Sequence, residues 1–123
     1  MTCRSCEKEG FRYVTATAVA PDRHPGMLPG ASELMVKLVF ADRSGTILGG
    51  QISGGPSVGE LINMIALAIQ KKVTVRELDM MQIATHPLLT SAPTVHPVIN
   101  AAHQALAKLR GKNIESIPVK RTL

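Results

Sequence analysis

The chain has 123 residues, is 45% hydrophobic and carries a formal charge of +5, from 14 Lys and Arg against 9 Asp and Glu. That length suggests a single domain over residues 1–123, and that apolar content excludes a wholly disordered chain. Phe11, Tyr13 and Phe40 are the only aromatic residues, and the basic residues are scattered outside Lys71-Lys72 and the tail; with neither a stacking platform nor a basic face, nucleic-acid binding is not expected.

Thr2 to Gly10 is polar and reads as a short helix closed by Gly10 as its C-cap. It holds both cysteines, Cys3 and Cys6, in a lone C-x-x-C without a second ligand pair at zinc-site spacing. These read as incidental reduced thiols, with a metal or redox role as the alternative. No apolar leader segment follows Met1, so a cytoplasmic location without a membrane partner is expected. Phe11 to Val19 alternates and is rich in β-branched and aromatic residues, a strand. Ala20 to Ser32 holds Pro21, Pro25, Pro29, Gly26 and Gly30 and reads as a long loop.

Glu33 to Asp42 is the clearest strand, with Leu34, Val36, Leu38 and Phe40 on one face. Asp42 to Gly45 is a turn, and Thr46 to Ser53 returns as the second arm of a hairpin. Gly49-Gly50 leaves bare backbone in that arm, which predicts close approach by a neighbouring element.

Ser57 and Glu60 have capping-box spacing and open a helix from Val58 to Ile69. This helix is apolar nearly all round: Val58, Leu61, Ile62, Met64, Ile65, Ala66, Leu67, Ala68 and Ile69 are apolar, and only Glu60 and Asn63 are polar before Gln70. A helix on one core needs only a stripe, and a membrane span needs about 20 apolar residues. One face therefore packs on the chain's own sheet and the other on something else; the alternative is a central helix wrapped by its own small domain. Thr74 and Glu77 repeat the capping spacing and start a short helix to about Met81. Thr85-His86-Pro87 is echoed by Val95-His96-Pro97, each proline pushing its histidine towards extended backbone. A last helix runs from Asn100 to about Arg110 with Gly111 as its stop, and a basic tail over 112–123 pairs as a strand through Ile114–Val119 or frays. Strands first and helices after indicate an α+β fold, an antiparallel sheet with helices packed on one face.

The glycines include no G-x-G-x-x-G opening a helix, and neither G-x-S-x-G nor H-E-x-x-H occurs, so no cofactor site is expected in this chain. The candidate chemical residues are His24, His86, His96 and His103, with His86 and His96 set apart by their prolines.

The stretch Asp42 to Gly49, Glu60 to Ile69 and Thr74 to Leu78 resembles the C-terminal dimerisation domain of the FAD-dependent pyridine nucleotide-disulfide oxidoreductases. Those share a D-x-x-T/S-G-x-I-L-G turn, a helix with E-x-I-x-x-x-A-x-A-I and then T-V-x-x-L. Ala18 to Gly26 and His96 to Ala102 are similar to the NADH oxidase and coenzyme A disulfide reductase branch, with His96 to Asn100 filling that branch's D-P-x-N. The resemblance implies a homodimer in which the helix of Leu61, Met64, Ile65, Leu67 and Ala68, with His96 and Asn100, packs across the two-fold. It also implies that the His-Pro corner reaches the partner's flavin and disulfide site, with His86 as acid-base partner of the redox thiols. The family's H-P-T-x-x-E motif departs here: its threonine is Leu88 and its glutamate falls on Ser91. The family's FAD and NAD domains are not in this sequence, which is therefore not catalytic alone; FAD and NAD(P)H are expected in the parent enzyme. The expected identities are a domain, a truncated reading frame or a stand-alone paralogue. A non-enzymatic interaction protein that binds a flavoprotein, and a small metal or redox protein using the cysteines, are the competing readings.

Overall fold

The computed structural model describes residues 1–23, 29–84, 86 and 90–115. Three antiparallel strands form one sheet in the order β1 (Tyr13–Pro21), β2 (Glu33–Ala41), β3 (Ile47–Ser53). The register between β1 and β2 is unbroken. It sets Val14, Ala16, Ala18 and Ala20 opposite Phe40, Leu38, Val36 and Leu34, and all eight are buried. Val36 faces Ile52 and Leu38 faces Gly50; a bulge at Val39 and Phe40 then brings Ile47 opposite Phe40. The extra residue keeps Ile47 on the buried side, which a regular ladder would have turned over. Gly45 closes the β2–β3 turn with φ 71°, a left-handed value that glycine adopts without strain.

Helices α2 (Val58–Gln70), α3 (Val75–Asp79) and α4 (Pro97–Glu115) cover that buried face. α4 lies over β1, where Ala101, Ala102 and Ala105 of the helix join Ala16 and Ala18 of the strand in one core cluster; short side chains on both sides permit a close approach. α2 seats on β3 at Gly50, where an added Cβ would stand 2.8 Å from Ile65 Cγ2. Gly49 points to the opposite face, and a Cβ there would overlap the Met1 carbonyl. The paired glycines thus admit one element on each side of β3, as their bare backbone predicted. The opposite face is partly covered by α1 (Cys3–Glu9), which is N-capped by Thr2 and ended by Gly10 at φ 76°. Cys6 is buried under α1, and both cysteines are free thiols.

Several local expectations change. Ser57 and Glu60 do not form a capping box: Ser57 has helical backbone, makes no cap hydrogen bond, and its buried hydroxyl has no partner. The Gly55 to Val58 turn, closed by Val58 N–H to Gly55 O at 3.2 Å, winds straight into the helix and takes the cap's place. Thr74 and Glu77 do form theirs, both halves present. α4 starts at Pro97, three residues earlier than read, because proline at the first helical position gives up no hydrogen bond. It passes through Gly111 to Glu115; a glycine costs a helix about 1 kcal/mol without breaking it. Ile114 is therefore helical, and the rest of the tail strand considered above, 116–119, lies outside the described residues. The wrapped-helix alternative also falls, since Ile62 and Leu67 of α2 are 38% and 56% exposed.

Candidate functional site

The α2 surface divides by helical geometry. At 100° per residue, Val58, Leu61, Ile65, Ala68 and Ile69 fall on one side. Ile65 and Ala68 are buried against the sheet, 2% and 7% exposed, and Leu61, Met64 and Ile69 are half-buried. Leu67 stands on the far side, among exposed Gly59, Asn63, Ala66 and Gln70, while exposed Ile62 borders the buried side about 60° from Ile65. Of the five α2 residues expected at an interface, Ile65 and Ala68 therefore belong to this chain's own core. Leu61 and Met64 lie at its edge, and Leu67 faces outward.

The second candidate element is the histidine corner. His86 is exposed, and its backbone is bracketed by one residue: His86 N–H donates to Thr90 Oγ1 at 2.8 Å, while His86 O accepts from Thr90 N–H at 3.0 Å and from Thr90 Oγ1 at 3.1 Å. Ser91, on the position of the resembled glutamate, is 2% exposed and donates from Oγ to Pro21 O at 2.5 Å. Its hydroxyl ties the corner to the end of β1. Pro87, Leu88 and Leu89, the remainder of that corner, and His24 lie outside the described residues.

His96 differs from His86 in every respect. Its backbone is extended (φ −59°, ψ 123°), as the following proline predicted, and its carbonyl accepts from Asn100 N–H at 2.9 Å in the first turn of α4. Its ring is 3% exposed and Nδ1 has no hydrogen-bond partner. Burial pushes the imidazole below its usual 6.5 by penalising the charged form, so His96 is neutral near pH 7. Asn100 is half-buried beside it. α4 runs from this corner to Leu109 near the β2–β3 turn, so both histidines sit at the end of the sheet away from that turn.

Thr90 is the residue sequence reasoning missed, and Ser91 entered it only as the place of a lost glutamate; the available signal was a pair of hydroxyls directly after the corner. His103, bland in the sequence, bonds Asp79 Oδ1 through Nδ1 at 3.0 Å and so joins α4 to the end of α3. No group of three or more His, Cys, Asp or Glu is placed to hold a metal among the described residues. The hollow of about 340 Å³ at the β1–β2 end is lined by Val19, Ala20, Pro21, Ala31, Ser32 and Glu33. Among the described residues its lining offers a carboxylate and no cation, which does not suit the pyrophosphate of a flavin dinucleotide. No helix among the described residues is long and apolar enough to cross a membrane.

Comparison with known proteins follows the same lines. Residues 1–97 match the family described as the pyridine nucleotide-disulphide oxidoreductase dimerisation domain. An NADH oxidase of Methanocaldococcus jannaschii is 39% identical over 85 residues, 68% of this chain and 18% of that protein. An NAD-dependent persulfide reductase from A. fulgidus is 28% identical with a TM-score of 0.78, over 91% of this chain and 20% of its own. Reduced CoADR-RHD of Bacillus anthracis is 26% identical with a TM-score of 0.79, over 90% and 19%. The chain thus spans about one-fifth of the length of these relatives. With a hairpin-centred sheet, a helix seated on paired glycines and a match over most of its length, the chain belongs to the pyridine nucleotide-disulphide oxidoreductase dimerisation-domain family.

Proposed function

We propose that this chain is the homodimerisation part of an FAD-dependent NADH oxidase or disulfide reductase, and that its corner carries His86 to the partner subunit's active site. The observation that carries the reading is the split of α2. Ile65 is consumed by the chain's own sheet, while Leu67 on the opposite side is more than half exposed. Burying a leucine is worth about 1.5–3 kcal/mol, so a second copy laid against this face gains what the isolated chain leaves in water. FAD and NAD(P)H would be held by the parent enzyme's other domains. His86 supports the second half of the reading because it is exposed and has its backbone bracketed by Thr90. Histidine is the side chain most often used for general acid–base work. Ser91 stands where the resembled motif has a carboxylate, and its hydroxyl is spent on Pro21 O.

Two substitutions test the two halves. Leu67→Asp places a charge on the outward face without touching the core and is expected to yield monomer by sedimentation velocity; an undisturbed dimer would refute the α2 interface. A charge at Ile65 would test folding, not association, since that side chain is core. In the parent enzyme assembled with its FAD and NAD domains, His86→Ala is expected to slow thiol–disulfide turnover and alter its pH dependence. Unchanged turnover would reduce His86 to a structural role. If the chain stays monomeric and instead captures a separate flavoprotein through the Leu67 face, the interaction-protein reading replaces the homodimer.

A further inference from the structure

The β2–β3 turn, the start of α3 and the C-terminal half of α4 enclose a hollow of about 190 Å³. Arg43, Arg76 and Arg110 line it, one from each of those elements. None of the three forms an ion pair among the described residues. The carboxylate on the rim, Asp42, faces Arg12 at 3.2 Å. The neighbouring Glu77 turns back to accept from Thr74 N–H at 3.1 Å and Thr74 Oγ1 at 3.0 Å. Three arginines thus line the hollow against one carboxylate, Asp42, which is already paired with Arg12, and the lining carries a surplus of positive charge.

The fold holds them together. Gly45 sits so close to α3 that a Cβ would stand 3.0 Å from Val75 Cγ1, and Val75 N–H donates to Gly45 O at 2.8 Å. Val75 and Leu109 are buried beneath the turn and give the hollow an apolar floor. Ser44 Oγ accepts from Thr46 N–H at 3.2 Å, leaving its O–H as a further donor. Like charges gathered over a low-dielectric floor repel, and a bound anion relieves that repulsion. Guanidinium forks match the oxygens of phosphate with paired hydrogen bonds. At about 30 Å³ per water, the space equals roughly six waters. That admits a diphosphate, or a phosphate with the first atoms it esterifies, and excludes a dinucleotide. Three arginines against the single, already paired Asp42 favour a dianion or higher over a single carboxylate.

We infer that this hollow binds a small phosphate-bearing anion, a phosphomonoester or a diphosphate. It lies at the end of the sheet opposite the His86 corner and does not depend on the dimer reading. The test is isothermal titration of the purified chain with inorganic pyrophosphate at about 0.15 M salt, where diffuse surface attraction is screened beyond about 8 Å. Expected is saturable binding of one anion per chain, weakened about tenfold or more by Arg76→Gln and by Arg110→Gln, with unchanged circular dichroism since both side chains are exposed. Arg4→Gln on α1, which removes the same charge from another element, should leave affinity within about twofold. Absence of saturable binding would overturn the assignment, as would equal weakening by Arg4→Gln. A short DNA duplex that displaces pyrophosphate and binds more tightly would overturn it in favour of a nucleic-acid surface.

Discussion

Gly50→Ala tests whether α2 is seated as described, and with it which α2 residues face outward. The added methyl would stand 2.8 Å from Ile65 Cγ2, 3.1 Å from Leu38 Cδ2 and 3.4 Å from Ile65 Cδ1. Carbon atoms pack best at about 3.5–4.0 Å. Ile65 and Leu38 are 2% and 0% exposed, so neither methyl can swing into solvent. Overpacking of this kind costs about 1–3 kcal/mol. The loss of chain freedom in the unfolded state offsets about 0.4–1 kcal/mol of that, because Gly50 does not occupy the left-handed region. The net expectation is a loss of about 1–2 kcal/mol, or roughly 3–8 °C in Tm for a chain of this size. Thermal and urea unfolding followed by circular dichroism, at fixed protein concentration because association shifts Tm, reads it directly. Ile65→Leu removes the β-branch methyl nearest the new carbon and alone should cost less than about 1.5 kcal/mol. In the double variant the two changes should couple favourably by about 0.5–1 kcal/mol or more. If Gly50→Ala is neutral and shows no coupling to Ile65, then α2 does not sit on β3 through this contact. The outward placement of Leu67 would fall with it.

Other consequences follow from single groups. Burial holds the His96 imidazole below 6.5 in the folded chain. The unfolded chain therefore binds the extra proton first, and stability is full above about pH 6.5 and lost as pH falls towards the folded value, at no more than about 1.4 kcal/mol per pH unit for one proton. His96→Asn should flatten the His96 share of that slope in urea midpoints taken between pH 8 and 5; an identical slope would refute the burial argument. Tyr13 donates to Glu7 Oε1 at 2.6 Å, and this bond is the main cause that pushes its phenol up to about 12. As the sole tyrosine, it can be titrated alone by ultraviolet absorbance, and Glu7→Gln should move the midpoint down towards 10. Thr74→Ala removes a formed cap and should destabilise by about 0.5–2 kcal/mol, whereas Ser57→Ala deletes a buried hydroxyl without a partner and should be neutral or stabilising.

Much of this architecture is legible in the residues. The alternation through Leu34, Val36, Leu38 and Phe40, the Gly45 turn and the Thr74–Glu77 box each encode local geometry, and each appears in the fold. Gly49-Gly50 carries long-range information as well, because a mid-strand residue without a side chain signals a neighbour that needs the room. What was not legible depends on partners distant in sequence. Ser57 and Glu60 have the spacing of a cap, but the turn from Gly55 takes over the helix start. Ile65 and Leu67 are equally apolar, and only the seat on Gly50 decides which one is core. The anchoring of Ser91 to Pro21 spans 70 residues, and the hydroxyl pattern alone does not name its acceptor. That Arg43, Arg76 and Arg110 line one hollow is likewise invisible until the turn, α3 and α4 are brought together.

The central claim, that this domain pairs with a second copy, is most directly tested by sedimentation equilibrium of the purified chain over a concentration series, recorded at protein and flavin wavelengths. The account predicts a colourless species of twice 13.1 kDa that dissociates on dilution and is lost in the Leu67→Asp variant. A single 13.1 kDa species at every concentration, or a dimer indifferent to Leu67→Asp, would contradict it.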